Sequence, residues 1–213
     1  MLPALLGKKI GMTQVFDEQG NVIPVSVIEA GPCPVVQVKT VEKDGYNAVQ
    51  LAFGEVRPTR VRLPMMGHFR RANLPPYRHI QEFRVCNPGD YNPGQLVDVG
   101  VFKDVGKVDV SGKTKGKGYQ GVVKRHGFHG GKKTHGSKSH RVPGSIGMAA
   151  DPSRVLKGQK LPGRTGHKRF NVRNLTVVEV DVENNILLVR GAVPGARRTI
   201  LRLTASARAK GGA

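Results

Sequence analysis

The 213-residue chain has no tryptophan, so no indole anchors a binding site. Its two cysteines, Cys33 and Cys86, are too few for a disulfide framework and belong to no paired-cysteine motif. That usage fits a reduced, cytoplasmic compartment. No stretch approaches the ~18 consecutive apolar residues that a membrane-spanning helix needs. The opening run from Met1 to Leu6, ahead of Gly7, Lys8 and Lys9, is shorter than the roughly 7–15 apolar residues of a signal-peptide core, so no secretory leader is expected.

The decisive scarcity is of acidic side chains in the middle of the chain. Residues 112–173 hold one, Asp151, against sixteen Lys and Arg. Residues 1–111 hold 13 basic and 11 acidic side chains, and residues 174–213 hold six and three. Most of the formal charge of +20 therefore sits in 62 residues. A charge of that size is self-repulsive and implies a polyanionic partner. Its uneven placement argues against a merely basic soluble protein or a general attraction to membranes. The same 62 residues carry 13 glycines, five of the seven histidines and only 14 apolar residues, whereas the other 151 carry 67 apolar ones. The two ends can bury a core; the middle cannot.

The flanks are expected to be mainly β. Val22–Ile28, Val35–Thr40, Tyr46–Phe53, Leu96–Phe102, Lys107–Val110, Leu175–Val182, Ile186–Val189 and Thr199–Leu203 are short runs rich in β-branched residues. Asp44-Gly45 marks one hairpin and Glu183-Asn-Asn185 a second, and Pro194-Gly195 is a further turn. Short strands separated by turns suggest a small β-barrel or sandwich. Residues 60–84 lack alternation and contain Pro64, Pro75 and Pro76, so irregular or short helical structure is expected there. The expected organisation is a β-barrel head built from residues 1–111 and 174–204, a basic, glycine-rich, mostly irregular internal extension over 112–173, and a flexible C-terminal tail over 205–213.

Low hydrophobicity with high charge is the composition of disorder. The middle segment nevertheless has no Glu and no simple repeat, and its glycines alternate with single apolar residues such as Tyr119, Val122, Phe128 and Ile146. That pattern suits a chain ordered by what it touches. Its motifs imitate enzyme signatures without completing them. Gly116-Lys-Gly118-Tyr-Gln-Gly121 has dinucleotide-binding spacing, but a glycine-rich stretch follows where a helix belongs, and the next acid is Asp151. Gly131-Lys-Lys-Thr-His-Gly136-Ser-Lys resembles a phosphate loop with Ser137 and Lys138 in reversed order. His126, His129, His135 and His140 invite a zinc reading, but no cysteine and a single carboxylate share their segment, and sixteen cations repel a metal ion. Ser137 and His140 can be paired, but no orienting acid lies nearby. No metal, cofactor, small-molecule substrate or catalytic activity is expected.

The positive reading is RNA. Lys113, Lys115 and Lys117 alternate; Lys124, Arg125, Lys132, Lys133, Lys138 and Arg141 follow, then Arg154, Lys157, Lys160, Arg164, Lys168, Arg169 and Arg173. Such groups displace counterions from phosphates. His126, His129, His135 and His140 join them as phosphate donors or base-stacking rings. Tyr119, Phe128 and Phe170 are the only aromatics of the segment, too few for a dedicated single-strand binder. A segment threading between backbones of folded RNA is expected. The rival readings predict different observations: an enzyme needs bound metal and loses turnover on changing His126 or His135, and a DNA-compacting protein binds duplex DNA comparably.

Several motifs together carry a resemblance. They are Gly7-Lys-Lys-Ile-Gly-Met-Thr-Gln-Val-Phe16, Val25-Ser-Val-Ile-Glu-Ala-Gly-Pro-Cys33, Lys115-Gly-Lys-Gly-Tyr-Gln-Gly-Val-Val-Lys-Arg-His-Gly-Phe128, Thr134-His-Gly-Ser137, His140-Arg141, Pro143-Gly-Ser-Ile-Gly147, Val155-Leu-Lys-Gly158, Gly163-Arg-Thr-Gly166 and Gly191-Ala-Val-Pro-Gly195. In order, from about residue 6 to residue 203, the chain resembles a bacterial-type member of the universal large-subunit ribosomal protein three family. The resemblance implies a structural constituent of the large ribosomal subunit, with a β-barrel head on its outside. It implies binding near the 3′ end of the large ribosomal RNA, an early role in assembly, and proteins fourteen and nineteen as neighbours. It also implies an internal extension reaching toward the peptidyl transferase centre. The tip would be Arg141 to Arg154, centred on Gly144, Ser145, Ile146, Gly147 and Met148. Some bacterial members carry a methylated Gln after Gly-Ser-Ile-Gly; Met148 stands there in this chain and cannot take that modification.

Overall fold

The computed structural model describes residues 4–206. The chain divides into two compact units, one running to Lys113 and resuming at Arg169, the other spanning Thr114–Lys168. In chain order the elements are β1 (Ala4–Phe16), β2 (Val22–Ala30), β3 (Cys33–Lys39), α1 (Val41–Asp44), β4 (Ala48–Glu55), α2 (Leu63–Arg70), β5 (Tyr77–Arg84) and β6 (Leu96–Val97). They continue with β7 (Lys107–Lys113), β8 (Tyr119–Gln120), α3 (Val122–His126), β9 (Gly163–Arg164), β10 (Arg169–Asp181), β11 (Ile186–Arg190) and β12 (Ile200–Ala205).

The fold of the first unit is mainly β. Six strands close a barrel in the order β1-β12-β7-β10-β11-β2, every neighbouring pair antiparallel. Leu5, Ile28, Val108, Val110, Leu187, Val189, Leu201 and Leu203 are buried in the core, supplied by alternate positions as a pleated strand requires. β1 serves two neighbours: Gly7 faces Leu201 on one side and Ala30 on the other. A Cβ on Gly7 would lie 2.8 Å from the Glu29 carbonyl oxygen, so a residue with no side chain is needed there. A register shift between Lys9 and Gly11 then bends the strand. Lys9 is buried, its Nζ donating to the carbonyls of Val193 (2.9 Å) and Gly195 (3.2 Å), which offsets part of the cost of taking an ammonium out of water.

A second sheet, ordered β5-β4-β3-β6, has two apolar faces. Val35, Val49, Leu51, Phe53 and Phe83 join the barrel core. Val36 and Ala52 point the other way, under Phe69 of α2. Beside them runs a polar chain. Lys39 Nζ lies 2.9 Å from Glu82 Oε1, Tyr46 donates to Glu82 Oε2 (2.8 Å), Gln50 Nε2 donates to Oε1 (2.8 Å), and His68 Nε2 meets Gln50 Oε1 (2.9 Å). The bonds from Lys39, Gln50 and Tyr46 hold the Glu82 carboxyl down at about 2. Burial pushes the Cys33 thiol up to about 12, so it behaves as an inert core group.

Four expectations change against this fold. The run Leu96–Phe102 is a strand only over Leu96–Val97; Asp98 then accepts from the Gly100 N–H (3.0 Å) and opens a 3-10 turn, Val99–Phe102. Residues 77–84, expected to be irregular or short helical, form β5, because its half-buried polar side chains pair with β4 and hide the alternation. β1 and the first six residues of β10 are added. Glycine and cations interrupt their apolar pattern, but neighbouring strands satisfy their backbone. Ala205 and Ser206 belong to the barrel, with the Ser206 N–H donating to the Lys107 carbonyl (3.0 Å). The rest of the expected tail, 207–213, lies outside the described residues.

Candidate nucleic-acid interface

The unit Thr114–Lys168 has almost no interior: Val122 is its one buried side chain. Backbone pairing holds its base together. The Thr114 N–H donates to the Lys168 carbonyl (2.9 Å), Lys117 to Thr165 (2.9 Å) and Thr165 to Gly118 (3.0 Å). β8 and β9 extend this ladder, Tyr119 facing Arg164. α3 stops at Gly127, whose φ of 75° and N–H bond to the Val123 carbonyl form a left-handed cap. Further along, the Gly131 N–H donates to the His140 carbonyl (3.1 Å). A Cβ on Gly130 would strike that same oxygen, and one on Gly131 would strike the Ser139 carbonyl. Glycine is thus required where the two runs of backbone meet.

Of the twenty RNA-contact candidates, Lys113, Arg169 and Arg173 stand on β7 and β10 of the barrel; the other seventeen lie in the second unit. Fifteen of those are exposed: Lys115, Lys117, Lys124, His129, Lys132, Lys133, His135, Lys138, His140, Arg141, Arg154, Lys157, Lys160, Arg164 and Lys168. Arg125 and His126 are half-buried and have an internal task. Arg125 Nη1 donates to the Leu161 carbonyl (2.7 Å), and His126 Nε2 lies 3.1 Å from the same oxygen. They pin α3 to the returning segment. His140 Nδ1 lies 2.9 Å from the Lys132 carbonyl.

The electrostatics are one-sided. The two ion pairs among the described residues, Lys8–Glu29 (3.0 Å) and Lys39–Glu82 (2.9 Å), both belong to the barrel unit. Lys113 and Arg169 are register partners across β7 and β10, and both are exposed. Like charges directly opposite weaken a ladder, and the Arg169 Nε is held on Ser111 Oγ (3.0 Å). Gly144, Ser145, Ile146, Gly147 and Met148 are all exposed. Ser145 Oγ donates to the Gly147 carbonyl (2.9 Å). Beside it a cavity of about 570 Å³ is lined by Ile146, Met148, Arg154 and Val155 among others. Ile146 is 50% and Met148 62% exposed.

A second basic stretch lies outside residues 112–173. Residues 55–84 carry seven arginines and two carboxylates, hidden when averaged over residues 1–111. In the barrel unit, Arg57, Arg60, Arg62 and Arg78 line a cavity of about 820 Å³.

Comparison with known proteins agrees with this chemistry. The family pattern described as "Ribosomal protein L3" matches residues 94–182. A "Large ribosomal subunit protein uL3" of Carboxydothermus hydrogenoformans is 52% identical over 210 residues, covering 99% of this chain and 100% of that protein. The protein of the same description from Petrotoga mobilis is 50% identical over 98% of both chains. That of Corynebacterium jeikeium is 53% identical over 91% of this chain and 89% of its own.

Proposed function

The chain belongs to the ribosomal protein L3 family, and from that premise we propose how its two units serve the ribosome. It is a structural, non-catalytic constituent of the large subunit of the cytoplasmic ribosome, and it binds large-subunit ribosomal RNA beside neighbouring ribosomal proteins. In our reading, residues 114–168 are an arm packed among RNA backbones, with Arg141–Arg154 as its tip pointing toward the peptidyl transferase centre. The barrel is the outer head. Binding near the 3′ end of the RNA, an early place in assembly, and proteins fourteen and nineteen as neighbours complete the proposal.

One observation carries the role of the arm. A 55-residue unit with a single buried side chain holds thirteen Lys and Arg against Asp151 alone. No apolar core stabilises such a unit, and its self-repulsion is relieved by phosphates. The exposed cations and histidines named above are the proposed RNA contacts. Arg125 and His126 contribute by shaping the arm. Met148 lays an uncharged, polarizable side chain at the tip, suited to a base or sugar face. Sedimentation of a cell lysate at high salt tests the reading: the chain should travel with the large subunit, and recovery of most of it as free protein would refute the proposal.

A further inference from the structure

The second basic stretch has a composition of its own. Every arginine among residues 1–111 falls within 55–84, and every lysine falls outside it. The remainder of those 111 residues carries six lysines and nine carboxylates, so the excess of positive charge in this part of the chain is confined to residues 55–84. Arginine differs from lysine in its planar, five-donor fork, which grips phosphate bidentately and stacks on flat rings. Arg57, Arg60, Arg62 and Arg78 are exposed, and none is within ion-pair distance of a carboxylate among the described residues. Their backbone is set in advance: Pro58 opens the 3-10 turn Pro58–Arg60, and Pro64 is the second residue of α2, which fixes φ at both places.

The floor of the cavity is apolar. Phe69 is fully buried beneath it, and its ring centroid lies 6.0 Å from that of Tyr77 at a tilt of 55°. Val56, Val61, Met65 and Ile80 add further apolar lining. Leu63, at the start of α2, is 86% exposed. One carboxylate, Glu55, also borders the cavity. Burial first and then this neighbour push the Tyr77 phenol above its ordinary value, so its hydroxyl remains a donor. The space of about 820 Å³ is within the range of ligand pockets, roughly 300–1,000 Å³, and accommodates a nucleotide.

We infer that this cavity on the barrel unit seats a single-stranded stretch of ribosomal RNA, with phosphates on Arg57, Arg60, Arg62 and Arg78 and one base against Met65 and Tyr77. The inference rests on the RNA-binding reading above and extends it to a second contact outside residues 114–168. A cationic rim beside an accessible aromatic ring, here Tyr77, is how unstacked bases are held, and unpaired guanidiniums match a row of phosphates better than they match a protein surface of mixed charge.

The test uses full-length protein and the large-subunit ribosomal RNA. Three chains are compared by equilibrium binding over a salt series: the intact protein, the double variant Arg60→Glu with Arg62→Glu, and an arm variant, Lys132→Glu with Lys133→Glu. All four positions are exposed, so each variant folds, and circular dichroism verifies this. The head variant should bind about tenfold or more weakly, and its slope of log affinity against log salt should fall by about 1.5, near the value for two lost phosphate contacts. Ultraviolet crosslinking of the intact complex, read by mass spectrometry, should place RNA on the peptide holding Met65 or Tyr77. An unchanged affinity and slope in the head variant, with the arm variant weakened, overturns this inference and leaves the arm reading standing. The same unchanged affinity with loss of the head variant from large subunits also overturns it, by making the face a protein contact. Failure of the intact protein to bind the RNA refutes the arm reading itself.

Discussion

The barrel unit and the unit 114–168 are one polypeptide built on opposite principles. All but one of the buried apolar side chains belong to the barrel unit, where six strands close on themselves and leave no open edge. The second unit has Val122, a two-residue ladder and a set of carbonyls met by Arg125, His126 and glycine N–H groups. Burial supplies the barrel with stabilisation of about 25 cal/mol per Å² of apolar surface. For the second unit that quantity is small, and its unneutralised cations oppose compaction. The first unit is shaped by its own residues, and in the function proposed above the second is completed by the anion it binds.

The largest expected effect comes from separating the two. Lys113 and Arg169 face each other in the β7–β10 register, so Asn-Gly in place of residues 114–168 closes a two-residue hairpin. That chain should melt cooperatively as a folded barrel while its affinity for ribosomal RNA falls by about a thousandfold or more at physiological salt, because thirteen cations leave with the segment. Filter binding and calorimetry read both quantities. Undiminished affinity would erase the division of labour.

A smaller effect sharpens the same contrast through single side chains. Leu203 is fully buried in the barrel, and Leu203→Ala should cost about 2–5 kcal/mol in denaturant unfolding. Ile146 is 50% exposed, and Ile146→Ala should change stability by less than ~0.5 kcal/mol while weakening RNA binding. Equal losses of stability from the two would contradict the comparison.

The smallest effect is one of pH and is confined to the barrel unit. The Glu82 carboxyl sits at about 2 in the fold against an ordinary 4.5. The unfolded chain therefore takes up this proton first as pH falls. The stabilisation is complete above pH 4.5 and disappears progressively toward about 2. The pair with Lys39 is partly exposed, so the effect should stay below about 1 kcal/mol. Glu82→Gln should flatten that part of the stability profile, followed by urea titration between pH 5 and 2. A profile as steep as that of the parent would assign the acid sensitivity to other carboxylates.

Much of this was legible in one dimension because charge and apolar content are counted without knowing contacts. Asp151 standing alone among sixteen cations separates a core-forming part from a core-less part, and β-branched runs such as Ile186–Val189 and Thr199–Leu203 announce strands. The errors follow from the same method. Val97, Val99 and Val101 alternate like a strand, yet Asp98 captures the Gly100 N–H and turns the chain. Tyr77–Arg84 does not alternate, yet β4 pairs with it along its length. Arg125 and His126 read as exposed RNA contacts, yet they meet one carbonyl 35 or more residues onward. The arginines of residues 55–84 vanish in an average over their acidic neighbours.

The sequence by itself determined which part of this protein can bury a core of its own side chains and which part cannot, because net charge and apolar content are sums over residues. Only the tertiary structure decided where the strands close, which cations serve inward, and that four arginines separated by as many as 21 positions share one apolar-floored cavity. Those are matters of distance between residues far apart in the chain, and the register of β4 against β5 and the packing of α2 set that distance.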